Sequence, residues 1–183
     1  VEYPFLGLLV SGGHTIIARA EDPFTMEVLG TTIDDACGEA FDKVAKHYDL
    51  GYPGGLAIDR LAQTGDPSAF RFPDSNLSKG EHRYDVSYSG LKTAVISQLD
   101  RFWDGSSEQT AANIAASFQK AAIDMLLKRL IRAAEDTGLR RVVVGGGVAA
   151  NSYLRAVLAE HEELDVRFPP LELCTDNGAM IAG

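Results

Sequence analysis

The chain has 183 residues, of which 45% are hydrophobic and 23% charged, and its formal net charge is −9. This length and composition suit about one globular domain with its own core, and no apolar run approaches the roughly 20 residues that cross a bilayer. The acidic balance argues against free-standing nucleic-acid binding, because phosphate recognition depends on basic side chains. An RNA partner would therefore require a local basic patch or help from other chains.

The two cysteines indicate the redox state of the compartment, and the start of the chain indicates whether the sequence is part of a longer protein. Cys37 and Cys174 lack metal-type spacing and do not indicate a disulfide scaffold, so a reducing, cytoplasmic setting is expected. The start shows neither a basic segment nor a cleavage site. Because it also lacks an initiator Met and the last residues read as helix, the chain is predicted to be a piece of a longer protein.

The first motif is a hairpin with a glycine tip. Two apolar runs flank Ser11-Gly12-Gly13, which predicts a β-hairpin over residues 5–19. Glycine permits close approach of a ligand to the backbone, and the tip amides could converge on an anion. An ordinary tight turn is the alternative. A second glycine turn, Gly145-Gly146-Gly147, follows the apolar run at 142–144, so the two turns are predicted to form walls of one nucleotide cleft.

The remaining pattern predicts an α/β order. After a third strand at 26–32, Asp34 or Asp35 is predicted to cap a helix that runs to about Tyr48. The later predicted elements are a helix at about 56–63, a loop at 64–83, a short strand at 85–88, helices at 89–102 and 107–137, a strand at 141–144, a helix at 152–160, a strand at 166–168 and a terminal helix from Asn177. This order is typical of a ribonuclease-H-like domain, with a hairpin feeding a mostly parallel sheet.

Several polar residues lie beside the glycine turns. Asp42 and Asp59 are each placed to accept hydrogen bonds from ribose hydroxyls, although a surface acid is the simpler interpretation of either one. Asn151 fits an N-cap, a role compatible with binding a nucleotide. Asp176 also fits a cap, and as a metal ligand it would need partners. The four histidines show no HxxxH or HExxH spacing.

One basic cluster stands out in the acidic chain. It consists of Lys128, Arg129, Arg132, Arg140 and Arg141. A solvated helix face is the simpler interpretation of these residues, and a phosphate-binding patch is the alternative.

Six motifs occur together and in order. They are LVSGGHT at 9–15, GEAFDK at 38–43, YPGG at 52–55, SYSGLKT at 87–93, GGGVAAN at 145–151 and CTDNGAM at 174–180. This set resembles the TsaD family of tRNA threonylcarbamoyladenosine biosynthesis proteins, formerly labelled O-sialoglycoprotein endopeptidases. The resemblance covers nearly the whole chain. Its motifs look bacterial.

The resemblance implies a fold and a set of roles. The fold is that of actin, heat-shock chaperone ATPases and sugar kinases (the ASKHA superfamily), in which two ribonuclease-H-like lobes enclose a nucleotide. Residues 1–183 would form the second lobe, with a helical insertion at about 50–137. Substrate- or nucleotide-binding positions would be Leu9, Val10, Ser11, Gly12, Gly13, Asp42, Gly55, Asp59 and Asn151; of these, residues 11–13 would lie by the phosphate and the two aspartates would hold the ribose.

The resemblance also implies a metal, partners and a reaction. Asp176 would hold one divalent metal, iron (Fe²⁺) or zinc, whose two histidine ligands belong to an HxxxH segment upstream of the hairpin. Threonylcarbamoyl would pass from threonylcarbamoyl-AMP to the exocyclic amine of an adenosine beside the tRNA anticodon. Partners would be a TsaB-like paralogue and a TsaE-like ATPase, without a membrane. The alternatives are a metallopeptidase, a non-catalytic nucleotide-binding lobe and a sugar kinase or ATPase.

Overall fold

The computed structural model describes residues 1–74, 77, 80–100, 103 and 108–174. Its strands are β1 (Phe5–Val10), β2 (Thr15–Ala20), β3 (Met26–Thr31), β4 (Arg141–Gly145) and β5 (Asp165–Arg167). Its helices are α1 (Cys37–His47), α2 (Gly54–Ala62), α3 (Tyr88–Leu99), α4 (Glu108–Thr137) and α5 (Ser152–Glu160), with short 3₁₀ turns at Gly80–His82, Gly147–Ala150 and Leu171–Leu173. The predicted terminal helix from Asn177 lies outside the described residues.

The described strands form one mixed sheet in the order β3-β2-β1-β4-β5. β1 pairs antiparallel with β2 and parallel with β4, which also pairs parallel with β5. The hairpin prediction and the α/β fold class are therefore confirmed. Because parallel neighbours have their carboxyl ends on the same side, the hairpin tip after β1 and the glycine turn after β4 leave the sheet at one edge.

The core lies between one face of this sheet and the helices. Alternating residues of β1 and β4 point into it, and all are at most 1% exposed: Leu6, Leu8, Val10, Val142 and Val144. This period of two is the expected pattern for strands covered on that face. Within α4, Ile114, Phe118, Met125 and Leu126 are buried as well, and Ala121 is partly buried against the same core. Among the described residues, no helix is long and apolar enough to cross a membrane.

The predicted cap of α1 is wrong. The helix begins at Cys37 after Ala36, whose amide donates to Glu39 Oε2 at 3.3 Å. Asp34 instead begins α3, 53 to 55 residues away: its carboxylate accepts from the amides of Tyr88 (2.8 Å) and Ser89 (3.1 Å) and from the hydroxyls of Ser87 and Ser89 (both 2.5 Å). Asp34 therefore does bond to amides at a helix start, but the helix is α3 and not α1.

The predicted strand at 85–88 is reduced to one parallel bridge between Thr32 and Val86. Tyr88 is already helical, because the carboxylate of Asp34 starts α3 at that residue. Asp35 takes a different role from the one predicted and accepts from Lys43 of α1 (2.6 Å) and Lys92 of α3 (2.9 Å). The loop between β3 and α1 therefore ties two helices together.

Candidate functional site

The two glycine turns meet at the carboxyl edge of the sheet. Leu9 of β1 lies beside Gly145 of β4, and Val10 precedes the hairpin tip. Gly146 has φ +93°, and a Cβ there would lie 2.3 Å from the carbonyl oxygen of Val10. Glycine is required at this contact, because a side chain would be strained by the backbone conformation and would overlap β1.

Ser11 organises the hairpin tip. Its amide donates to the carbonyl of His14 at 2.8 Å, and its hydroxyl oxygen accepts from the amides of Gly13 (3.2 Å) and His14 (3.0 Å). The amide of Gly13, at the tip predicted to face an anion, and that of the adjacent His14 thus point at the Ser11 hydroxyl. An anion nest at the tip would require Ser11 to turn away from them.

The amino end of α1 is fastened to this hairpin. The Gly38 amide donates to the carbonyl of Ser11 at 3.1 Å, and the Cys37 amide donates to Thr15 Oγ1 at 2.8 Å. A Cβ on Gly38 would lie 2.8 Å from the Ser11 carbonyl oxygen, so this contact also depends on glycine. Burial raises the pKa of the Cys37 thiol to about 12, against a smaller opposing effect of its contact with Tyr88. This thiol is therefore an inert packing group.

Asp42 and Gly54 hold α1 against α2. The Gly54 amide donates to Asp42 Oδ1 at 2.8 Å, which satisfies a donor at the amino end of α2. A Cβ on Gly54 would lie 2.6 Å from the Asp42 Cα atom. The next residue, Gly55, has no described atom within 4 Å of its own Cβ position. The YPGG motif thus contains one glycine needed for packing and one that borders open space.

Asp59 connects α2 to the start of α5. Its Oδ1 accepts from Asn151 Nδ2 (3.2 Å), the Ser152 amide (3.2 Å) and the Ser152 hydroxyl (2.7 Å). Asn151 Oδ1 accepts from the Leu154 amide at 2.9 Å, which confirms its predicted N-cap role. Asn151 Nδ2 also donates to Gln119 Oε1 at 2.8 Å. Both ends of the Asn151 amide are therefore engaged within the protein.

Sequence reasoning missed Gln119 and Ser152. Gln119 is 4% exposed on α4, where it follows the buried Ser117 in a mostly apolar stretch. An amide side chain within this mostly apolar stretch of helix was the available signal, since buried amides normally have partners. The partner could not be predicted, because Asn151 is 32 residues away.

These groups surround a cleft of about 380 Å³, within the usual size of ligand sites. The described residues that line it are Gly12, Gly38, Phe41, Asp42, Pro53, Gly55, Leu56, Asp59, Gly147, Val148, Ala150 and Asn151. Thus Gly12, Asp42, Gly55, Asp59 and Asn151 from the predicted site share one cleft. Val10 is buried under it, and Leu9 is 42% exposed next to Gly145. Their roles towards a ligand stay predictions.

The chain matches a known family over its whole length. The model for the TsaD family, tRNA N6-adenosine threonylcarbamoyltransferase, covers residues 1–183. The chain belongs to the TsaD family. Proteins named tRNA N6-adenosine threonylcarbamoyltransferase match it at 62% identity in Treponema denticola and 54% in Borreliella burgdorferi, each over all 183 residues. The chain spans 54% and 53% of those relatives, about half their length.

Solved structures support the fold of this TsaD-family chain. Full-length HypF in a phosphate- and nucleotide-bound form matches with a TM-score of 0.73 at 13% identity, over 96% of this chain and 38% of HypF. The activator of 2-hydroxyisocaproyl-CoA dehydratase from Clostridium difficile, with bound ADPNP, has a TM-score of 0.50 at 16% identity, over 93% of this chain and 56% of that one. These likenesses confirm an ASKHA-type fold.

The described residues of the TsaD-family chain do not assemble a metal site. No group of three His, Cys, Asp or Glu side chains within the described ranges is placed to hold an ion. Asp176, the predicted ligand, lies outside those ranges. The nearby Cys174 is buried, and its Sγ is 3.4 Å from Arg155 Nη2. The His, Cys, Asp and Glu side chains of the described ranges therefore do not form a metal site by themselves.

Arg155 is a further residue that sequence reasoning missed. Its guanidinium donates to the carbonyls of Ala149 (2.7 Å) and Pro169 (2.9 Å) and stacks 4.5 Å above the ring centroid of Phe168. It thereby links the Gly147–Ala150 turn, which lines the cleft, to the segment leading towards Asp176. Charge-assisted bonds of this kind are the stronger class of hydrogen bond.

The predicted basic cluster is partly neutralised. Arg129 is 3% exposed, and with Lys128 it contacts Asp74 Oδ2, at 3.3 and 2.9 Å. Arg141 pairs with Glu2 and Asp165. The solvated-face interpretation therefore does not hold for Arg129, which is buried, and the three paired residues form a weaker phosphate-binding patch than the sequence indicates.

Proposed function

We propose that this chain forms the nucleotide-binding part of an enzyme that transfers threonylcarbamoyl from threonylcarbamoyl-AMP to the exocyclic amine of an adenosine beside the tRNA anticodon. The family match over residues 1–183 carries the proposal. The relatives' name supports the reaction, and the nucleotides named with the HypF and dehydratase-activator structures support an adenylate in the cleft.

Different cleft residues hold different parts of the adenylate. Asp42 uses one oxygen for the Gly54 amide, and a carboxylate offers about four acceptor positions, so it can also accept a ribose hydroxyl. Asp59 holds a second hydroxyl while remaining bonded to Ser152. Gly55 leaves room for the nucleoside, Asn151 keeps the wall in place, and residues 11–13 lie by the phosphate.

The reaction is a direct acyl-type transfer. The adenosine amine attacks the carbonyl carbon of the threonylcarbamoyl group, the bond from that carbon to the phosphate oxygen breaks, and AMP leaves with the electron pair. The amine proton passes to solvent or to the departing phosphate. The protein's contribution is to fix both substrates in line and to stabilise charge on the leaving phosphate.

We further propose a divalent metal, iron or zinc, held by Asp176 together with ligands from elsewhere in the complete protein. Such an ion would supply Lewis-acid polarisation of an oxygen. We also propose a TsaB-like paralogue, a TsaE-like ATPase and tRNA as partners, and the cytoplasm as the setting. By itself, this half-length chain is expected to be a catalytically silent nucleotide-binding lobe.

The test is a transfer assay with threonylcarbamoyl-AMP and tRNA. The complete protein with its partner subunits is expected to form threonylcarbamoyladenosine, and residues 1–183 alone are expected not to. Metal removal by a chelator should reduce transfer by the complete protein, and re-addition should restore it. Absence of transfer by the fully assembled system would overturn the proposed function, whereas transfer by residues 1–183 alone would overturn only the division into lobes.

A further inference from the structure

Tyr52 is a large aromatic residue that lies almost entirely in solvent. Its side chain is 89% exposed. It precedes Pro53, the residue before α2, and thus occupies the position from which an apolar side chain normally packs on the fourth residue of a helix. That fourth residue is Ala57, whose Cβ faces Gly51. Since Tyr52 is left in solvent, helix stability does not explain it.

Its surroundings join the cleft to a second groove. Tyr52 lines a groove of about 360 Å³ along the outer side of α1, with Asp42, Lys43 and Lys46. Asp42 also lines the cleft, and the residue after Tyr52, Pro53, lines the cleft as well. Tyr52 therefore lies where the groove opens into the cleft. Among the described residues lining either space, the other aromatic side chain, Phe41, is buried.

We propose that Tyr52 is the stacking platform for the adenine base of the acceptor RNA nucleotide. This inference rests on the proposed function, in which both substrates carry an adenine. The carboxylates and Gly55 lie within the cleft and suit the donor adenylate, whereas the Tyr52 ring lies at its mouth, on the side of the groove. Proteins commonly hold an unstacked RNA base on an exposed aromatic ring.

Three acidic residues, Glu39, Asp42 and Asp49, line the groove with two basic ones, Lys43 and Lys46, so its charge does not favour a run of phosphates. Lys46 is exposed beside Tyr52 and can meet a backbone phosphate. Lys43 is committed elsewhere: hydrogen bonds to Asp35 and Glu39 raise its pKa and hold it as a fixed cation. One exposed ring and one exposed lysine in an otherwise acidic groove suit a single flipped base better than a long stretch of RNA backbone.

The experiment compares Tyr52→Ala with Tyr52→Trp in the complete protein with its partner subunits. Phe24→Ala is the matched control, since Phe24 is 97% exposed and does not line the cleft or the groove. Three quantities are measured: Kd for AMP, Kd for an anticodon stem-loop carrying the acceptor adenosine, and Kd for the same RNA with an abasic site there.

Tyr52→Ala is expected to weaken binding of the adenosine RNA by roughly 5- to 150-fold, the range that base stacking on an aromatic ring supports. It should leave binding of AMP and abasic RNA within about twofold of wild type. Tyr52→Trp should retain binding of the adenosine RNA, and Phe24→Ala should match wild type throughout.

Three outcomes would overturn the inference. Loss of AMP binding would place the donor base on Tyr52, equal loss for abasic RNA would point to a phosphate or sugar contact, and no loss would make the ring inert. In each of these cases wild-type transfer activity persists, so the proposed function survives. Failure of the wild-type assembly to transfer would overturn the function itself, and the inference with it.

Discussion

The glycines around the cleft fall into two regions with opposite surroundings. At the seam where the hairpin tip, α1 and the turn after β4 meet, Cβ atoms at Gly38 and Gly146 would lie 2.8 and 2.3 Å from backbone oxygens. At the cleft surface, Cβ atoms at Gly12, Gly55 and Gly147 would meet no described atom within 4 Å. Glycine is thus required by the fold in the first region and by nothing within the described chain in the second.

This difference separates folding from function in motifs that look uniform in sequence. LVSGGHT and GGGVAAN each place glycines beside one another, yet Gly146 closes the seam while Gly147 borders the cleft. A glycine that the fold does not need, on the wall of a cleft, is best explained by a ligand that approaches the backbone. The expected effects of substitution therefore differ in kind between the two regions.

The largest expected effect is at the seam. Gly146→Ala should lower the free energy of unfolding by about 3 kcal/mol or more, since it combines positive-φ strain with overlap against the Val10 carbonyl. Urea unfolding measures this change. Gly147→Ala is the matched control one residue away and should change stability by less than about 1 kcal/mol. Equal losses for the two variants would remove the distinction between the regions.

The two aspartates extend the comparison to side chains. Asp42→Asn can keep its bond from the Gly54 amide, so it should weaken adenosine-nucleotide binding by roughly 1–3 kcal/mol with little change in stability. Asp59→Asn should lower both the nucleotide affinity and the stability of the fold, because Asp59 also accepts hydrogen bonds from Ser152. Calorimetric titration and thermal unfolding separate the two quantities. A 2′,3′-dideoxy nucleotide should be insensitive to Asp42→Asn; an equal loss with that ligand would show that Asp42 does not touch the sugar.

Gly12→Val tests the open region directly. The side chain has room in the free protein, so unfolding should stay close to wild type, while nucleotide affinity should fall about tenfold, or roughly 1.4 kcal/mol, as the phosphate is displaced. Adenosine, which lacks the phosphate, should bind the variant as well as wild type. If AMP also binds the variant unchanged, the phosphate does not lie at the hairpin tip.

Local patterns predicted the sheet and the cleft because both depend on short segments. Short apolar runs beside the glycine turns predicted β1 and β4, and parallel pairing of those strands brings the two turns together. Asn151 was identified as a cap from its position before α5. The carboxylate contacts across α2 and α5 were not foreseen, because Asp59 and Ser152 are 93 residues apart and no local pattern links them.

The wrong prediction of the α1 cap also shows that local patterns do not predict contacts between residues distant in sequence. Asp34 and Asp35 precede α1, so their sequence position favoured a role in that helix, yet both carboxylates reach α3. Sequence position favours bonding to the nearest helix, α1. In the fold, the first half of α3 also lies within reach of the two carboxylates. The metal prediction at Asp176 stays a prediction, since its segment lies outside the described residues.

The smallest expected effect concerns Asp34, whose carboxylate lies apart from the cleft-lining residues. Burial acts to raise its pKa, but hydrogen bonds from Ser87, Ser89 and Tyr88 outweigh this and hold the pKa below its ordinary value of 3.8. A lowered pKa means that the charged form stabilises the fold above pH 3.8, and that this contribution is lost as the pH falls through the lower, folded-state pKa. Asp34→Asn should cost about 1 kcal/mol at pH 7, the usual value of a cap, with nucleotide affinity unchanged. Thermal unfolding at pH 7 and pH 2.5 should show the difference between variant and wild type shrinking at the lower pH; a difference that stays constant would mean that the neutral acid caps α3 as well as the carboxylate does.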